Sequence, residues 1–557
     1  MTMSDSVFMA PWIAARGFKV AAEPKVVISN ELDHEFLALD GPAATLWMAI
    51  EESPGRTAGE LAAQLGFPPD EVCAFVDQLR AANLLSSRPP EAARVVPPQK
   101  SSSSELVTTS ARYQAGSYME AAPGGDNLEA EFALQDWALS HGFLWSASWE
   151  ITYRCNEACV HCFNPGASHA VGQPAMRKTK QLSRDQWQQM LSEMKALGVF
   201  RLLLTGGEVA LHKDFFEIVS TARAMGFAVT IFTNGTLFNA ADTDRLIALY
   251  PHRVELTIFS PDAAQHDAIT RLKGSFNKTV ACAKRLVAAG VTTAIKMTVM
   301  AETVHLVDDF RAFVEGLGCE AQPDFNMSPG LDGARDPLQN LLPAPVQLIR
   351  AAADPQSPLY IGEIDTPRKR PGSFHDPKNP YVCGAGRTLM SISPEGHIYP
   401  CNSLPLHVGS VTEETLTQVW QGSRLGGKAG ASGDRLTHWQ NVTTDRYHVC
   451  GSFDRCAWCQ KCPGMAFLET GDELSPSTVN CRNAAARLVA HALLREGIDP
   501  AAVQADSVPA LAARYPENAA LWQTEIHLAS RTDLASVRQT LKDRARISVL
   551  QQNSIVE

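Results

Sequence analysis

The stretch Trp149-Glu-Ile-Thr-Tyr153-Arg-Cys155-Asn-Glu-Ala-Cys159-Val-His-Cys162 decides the fold. Trp149–Tyr153, aromatic and β-branched, predicts a strand that runs directly into a loop of three thiols. Beyond it the chain alternates. Ser183–Leu197 predicts a helix: Ser183 and Gln186 make a capping box, Trp187, Met190, Leu191, Met194 and Leu197 form an apolar stripe, and Gly198 suits the end. Further strands are expected at Val199–Leu204, Val229–Phe232, Val254–Phe259, Ala294–Val299 and Ala321–Met327, with helical patterns between them. Six strand–helix alternations specify a parallel sheet with right-handed crossovers. Six is fewer than the eight of a closed barrel. The expectation is therefore an α/β fold, a partial (β/α)6 barrel over residues 144–345.

Outside that region the texture changes. Residues 16–87 predict a winged-helix-like module, with strands in Gly17–Ser29 and Glu35–Leu39 and helices in Pro42–Glu52, Thr57–Leu65 and Asp70–Leu85. Residues 88–140, with Pro89-Pro90, Pro97-Pro98 and Ser101–Ser104, have the composition of a linker. Residues 376–490 form a cysteine-rich C-terminal domain, and 491–557 a helical tail.

The chain has 557 residues, 45% apolar and 20% charged, enough for several cores. A net charge of −11 argues against a general nucleic-acid binder. No run of 18 apolar residues predicts a membrane span, and the start lacks a secretion-signal pattern, so a cytoplasmic chain is expected. Three of the 13 cysteines lie in Cys155–Cys162 and seven in Cys383–Cys481. Such clustering points to metal or cluster ligands before disulfides. Cys73, Cys282 and Cys319 stand alone and are expected to pack in cores.

Strand ends at the C-terminal face of such sheets are where active sites form. Three thiolates this close can hold three corners of a [4Fe–4S] cube and leave the fourth iron open. An open iron can be chelated by the amino and carboxylate groups of S-adenosylmethionine. The alternative is zinc, which wants four ligands and would need His161 or a remote group.

C-x3-C-x2-C after a barrel strand resembles the signature of the radical S-adenosylmethionine (radical SAM) superfamily, and other segments between Leu144 and Asp332 resemble it in order. That resemblance implies catalytic cluster ligands Cys155, Cys159 and Cys162. It implies that Leu202–Glu208 binds the methionine amino group through Gly206, Gly207 and the Glu208 carboxylate. Asn234 falls at the third-strand end, Thr257 beside the ribose, Arg271 near the methionine carboxylate, and His161 against adenine. The later cysteines resemble the SPASM extension, which binds two auxiliary clusters. By that resemblance Cys450, Cys456, Cys459 and Cys481 surround one cluster and Cys383, Cys401 and Cys462 the other, leaving it an open iron. One departure is Phe453, which stands where the family commonly has cysteine. Three [4Fe–4S] clusters and S-adenosylmethionine are the cofactors so implied.

Ala21–Leu85, with Leu39-Asp40-Gly41-Pro42, resembles PqqD-like elements that bind the leader of a ribosomal precursor peptide by strand addition. The other use of a winged helix is DNA binding. Residues 1–90 carry 6 Lys+Arg against 12 Asp+Glu, the wrong sign for phosphate. Together these resemblances imply a peptide maturase, served by a low-potential donor such as flavodoxin or ferredoxin, with no nucleic-acid or membrane partner. The open iron resembles sactipeptide and ranthipeptide thioether synthases. Carbon–carbon cross-linking and epimerisation are the alternatives. A sulfatase-type maturase is a further one, against which Asn402 stands where that family has an Asp base. A non-catalytic metal scaffold is the reading from another class.

Overall fold

The computed structural model describes residues 5–19, 24–32, 35–87, 135, 137–138, 140–164, 181–331, 338, 340–360, 380–421, 431–447, 450, 456, 458–516 and 519–522. Six parallel strands form the centre: β6 (Ser146–Thr152), β7 (Arg201–Gly206), β8 (Ala228–Phe232), β9 (Arg253–Thr257), β10 (Thr293–Thr298) and β11 (Glu320–Asp324), given the numbers they hold in the whole chain. They lie in sequence order, and a helix follows each of them. The Ser183–Gln186 capping box is present, and Trp187, Met190, Leu191 and Met194 are buried. Burying each such side chain is worth roughly 1.5–3 kcal/mol.

Alternation gives the sheet two faces. Ala147, Trp149, Ile151, Leu202, Leu204, Val229, Ile231, Val254, Leu256, Ile295 and Met297 join the core beneath the helices. The opposite face, toward the barrel lumen, carries Ser148, Glu150, Thr205, Glu255, Thr257, Lys296, Thr298 and Asp324. Lys296 pairs with Glu255 at 2.5 Å. A lumen this polar is built for access rather than for packing.

The cysteine-rich domain is not a separate body. Its strands β12 (Leu389–Ile392), β13 (His397–Tyr399) and β14 (Gly409–Ser410) extend the same sheet to nine strands, with β12 parallel to β6. Strands of two to four residues leave no periodicity to read, so the sequence placed this domain apart.

The N-terminal module also differs from expectation. The strand expected over Gly17–Ser29 is two, β2 (Ile13–Phe18) and β3 (Lys25–Asn30), paired antiparallel and followed by β4 (Glu35–Asp40). Pro24 stands at the junction and lacks the N–H a continuous ladder needs. The module starts before residue 16: Val7 and Ala10 are in its core, and β1 (Phe8–Met9) pairs with β5 (Leu85–Ser86). The expected helices are present at Gly41–Glu52, Ala58–Leu65 and Pro69–Ala81.

This module docks on the rim where the barrel strands begin. Phe18, Ala14, Val27 and Phe36 pack with Trp145, Phe200 and Ala228. The buried Arg16 donates from Nε to the Val199 carbonyl at 2.8 Å. Glu31, buried, meets His252 Nδ1 at 2.7 Å and Arg223 at 3.8 Å. Ala138 and Trp137, expected as linker, fill the same seam and belong to the fold. Residues 88–134 and 523–557, the latter part of the expected helical tail, lie outside the described residues. The helix Thr478–Arg495 crosses the expected boundary at 491 and packs on Pro345–Ala353. Among the described residues no helix is long and apolar enough to cross a membrane.

Candidate active site

Cys155 leaves β6 after Tyr153-Arg154. The loop is hung on the helix Ala263–Thr270 by Ala158 N donating to Thr270 O and Val160 N to Ile269 O, both at 3.1 Å. Cys162 N donates to Cys159 O at 3.1 Å, which curls the loop. All three cysteines are half-buried and outside any disulfide. Burial raises the Cys155 and Cys159 thiols well above the ordinary range. Loading metal on them must therefore release protons. Glu157 lies inside the loop, accepts from the Cys159 thiol at 3.4 Å and is pushed up to about 8, chiefly by burial.

The end of β7 presses flat on this loop. Gly207 N donates to Thr152 O at 2.7 Å and Glu208 N to Arg154 O at 2.8 Å. A Cβ on Gly206, whose φ is +133°, would stand 2.1 Å from the Thr152 oxygen, and one on Gly207 2.2 Å from the Arg154 oxygen. Only glycine permits this approach. Asn164, two residues after the triad, donates to Gly206 O at 2.6 Å.

Glu208 is fully buried and spends its carboxylate on the protein. It accepts from Ala210 N at 3.0 Å, the Thr233 hydroxyl at 2.7 Å and Asn234 N at 2.8 Å. Its first task is thus to lock the ends of β7 and β8 together, a clamp of which the sequence alone shows no sign. Asn234 then reaches the loop: Nδ2 donates to Asn156 Oδ1 at 2.9 Å and lies 4.0 Å from Cys155 Sγ. Asn156 in turn donates to the Thr236 hydroxyl at 2.8 Å. Asn156, Asn164, Thr233 and Thr236 were not singled out from sequence. Their only signal was position beside the cysteines or in Thr233-Asn234-Gly235-Thr236.

His161 packs edge-on against Phe259, 4.4 Å between centroids, and burial lowers its pKa to about 4. Its Nδ1 is buried without a protein partner. Thr257 is half-buried at the end of β9. Arg271 ends the helix Ala263–Thr270 in a left-handed conformation. The surrounding segment is a knot: Asp267 accepts from Gly274 N at 2.5 Å, the Ser275 hydroxyl at 2.9 Å and Phe276 N at 3.0 Å.

The other cysteines collect beside the lumen. Gly386 N donates to Pro400 O at 2.9 Å, laying the Cys383 segment along Cys401. The helix Pro463–Thr470 starts after Cys462 and presses Gly464 so close to Ser403 that a Cβ would lie 2.2 Å from its oxygen. Burial raises Cys401 to about 11, and the thiols acting on it are Cys462 and Cys383. Burial raises Cys459 to about 12, and those acting on it are Cys481, Cys450 and Cys456. Asn480 Nδ2 ties the Cys481 helix to Gln460 O at 2.9 Å. The thiols thus fall in space into a three and a four.

A cavity of about 980 Å³ lies at the auxiliary cysteines and reaches Phe163, the residue after Cys162. Phe163, next to Cys162, lines one side with Thr298 and Asp324; Cys383, Cys456, Cys459 and Cys462 line the other, with Asn402. Among the described residues no three His, Cys, Asp or Glu side chains converge on a single ion. Cube ligands need not converge so, because each binds a different iron. Cysteines outside any disulfide in groups of three, three and four, a glycine cradle and an unpartnered buried ring nitrogen fit iron–sulfur clusters and a polar cofactor.

The profile of the radical SAM superfamily matches residues 149–314, and that of the SPASM iron–sulfur cluster-binding domain matches 383–463. Mycofactocin maturase MftC of Mycobacterium ulcerans is 30% identical over 287 residues, 50% of this chain and 74% of that protein. AdoMet-dependent heme synthase of Methanosarcina barkeri is 25% identical over 349 residues, 59% of this chain and 93% of that protein. PqqA peptide cyclase of Gluconobacter oxydans is 24% identical over 280 residues, 50% of this chain and 76% of that protein.

Proposed function

Since the chain belongs to the radical SAM superfamily and carries a SPASM iron–sulfur domain, we propose that it is a maturase that cross-links a ribosomal precursor peptide through a Cys thioether. Reductive cleavage of S-adenosylmethionine at the first cluster would supply a 5′-deoxyadenosyl radical able to take hydrogen from an unactivated C–H bond. The chain's own residues do the rest. Cys155, Cys159 and Cys162 hold the first cluster; Gly206 and Gly207 bring strand backbone against it; Glu208 and Asn234 fix that contact. His161 offers the cofactor a buried ring. The three-cysteine and four-cysteine groups hold the auxiliary clusters.

The observation that carries the reading is the shared cavity, open to the residue after Cys162 and to both auxiliary groups. A peptide segment there lies between the radical source and a one-electron acceptor. The N-terminal module is taken as the leader site, and a flavodoxin or ferredoxin as the donor.

The test is anaerobic. Reconstituted protein with dithionite and S-adenosylmethionine should form 5′-deoxyadenosine. A Cys-containing precursor encoded beside it should emerge about two hydrogens lighter per cross-link. Precursor that keeps its mass while deoxyadenosine accumulates overturns the peptide reading. The length of the match to the heme synthase favours one other substrate class, a tetrapyrrole. It predicts turnover with porphyrin and none with peptide.

A further inference from the structure

Of the two auxiliary groups, Cys383, Cys401 and Cys462 lack a fourth cysteine among the described residues. Three carboxylates lie nearby. Glu469 is spent, accepting from the Ser477 hydroxyl at 2.6 Å and Thr478 N at 2.5 Å. Asp445 is tied to the Thr443 hydroxyl at 2.5 Å, and no cysteine acts on its charge. Asp324 differs from both. It ends β11 on the lumen face, lines the cavity with Cys383 and Cys462, and its charge acts on the Cys462 thiol. Asn326 clamps one oxygen, Oδ1, through its backbone N at 2.9 Å and its Nδ2 at 3.0 Å. Oδ2 lies outside that clamp.

We propose that the Asp324 carboxylate is the fourth ligand of the cluster held by Cys383, Cys401 and Cys462, an oxygen donor supplied by the barrel to an iron of the extension. The proposal rests on the reading above that these cysteines hold a cluster. It changes one consequence of that reading: the fourth iron is closed at rest. Iron of a sulfide cluster prefers thiolate to carboxylate, so the position is exchangeable, and the exchangeable iron is the one that faces the cavity.

The test compares full-length wild type with Asp324→Ala, the near-isosteric Asp324→Asn and Asp324→Cys, all reconstituted anaerobically. Free L-cysteine is the probe, titrated while the electron paramagnetic resonance of the reduced auxiliary clusters is followed. In Asp324→Ala and Asp324→Asn the signal should shift at roughly tenfold lower cysteine than in wild type. Asp324→Cys should show altered g-values and no response. Identical titrations of wild type and Asp324→Asn overturn the ligand assignment. A separate variant with Cys383, Cys401 and Cys462 all changed to Ala guards the premise. Loss of about four irons upholds it, whereas unchanged iron means that these cysteines hold no cluster and the proposal falls with the premise.

Discussion

Replacing Gly206 by Ala tests how the strand end meets the cysteine loop. The new Cβ would stand 2.1 Å from the Thr152 oxygen, where ordinary contact begins at 3.4 Å, so backbone must retreat by about 1.3 Å. The φ of +133° adds strain. Together the overlap and strain cost roughly 2–5 kcal/mol of stability. The retreat also carries away Gly207 N and Glu208 N, which bind Thr152 O and Arg154 O at the mouth of the loop. A misplacement of about 1 Å near the chemistry costs on the order of 100-fold in rate. The assay is the initial rate of 5′-deoxyadenosine formation with saturating S-adenosylmethionine, together with iron content. Gly290→Ala is the control: its φ is +80°, but a Cβ there meets nothing within 4 Å. Gly206→Ala should fall about 100-fold with iron near wild type, and Gly290→Ala should hold its rate. A Gly206→Ala rate within threefold of Gly290→Ala would falsify the reasoning.

Changing Cys155, Cys159 and Cys162 together to Ala should remove about four irons and abolish 5′-deoxyadenosine; residual cleavage would reassign the catalytic cluster. Burial raises Glu150 to about 7. Such a group stabilises fully below its unfolded value of 4.5, and the contribution is gone once pH has risen through about 7, a loss of about 3 kcal/mol. Glu150→Gln should therefore melt higher than wild type at pH 8 and lose that advantage at pH 4.5, by calorimetry. For Glu31, burial alone would raise the pKa, but His252, Arg223 and Arg201 outweigh it and hold it below 4.5. Its stabilisation is present above 4.5 and lost as pH falls further; Glu31→Ala, which strips a buried partner, should cost about 3–5 kcal/mol at pH 7. Deleting residues 1–88 bares Trp145, Phe200 and Ala228, so the remainder should melt lower and aggregate; an unchanged melting temperature would show that the docked interface carries no stability.

The cysteines and glycines were legible in the sequence because their chemistry is local. C-x3-C-x2-C on a strand end and Gly-Gly after the next strand keep their meaning wherever the chain goes. The six parallel strands were legible because each carries its own alternation or apolar run. What failed depends on distant partners. Glu208 was legible as a site residue, but the bonds it accepts from Thr233 and Asn234, 25 and 26 residues away, were not. The strands β12–β14 carry too few residues for a pattern and exist because β6 offers an edge. Trp137 sits in a stretch of linker composition, and only the pocket formed by Phe18 and Phe143 reveals its place.

The seat of the N-terminal module turns the barrel into a yardstick. Its contacts are with residues that precede the strands, such as Val199, Phe227 and His252, whereas the cysteine loop opens at their far ends. The six residues of β7 set that height, about 20 Å at the rise of a strand. A chain gripped on the module and modified at the cavity must span the full height, about six extended residues, and then pass the helical jacket, itself about 10 Å across. On that reading, any residue closer to the gripped segment than that would be out of reach of the radical, whatever its chemistry. Distance along the peptide, set by where one small domain is docked, would then choose the target before any side chain is recognised.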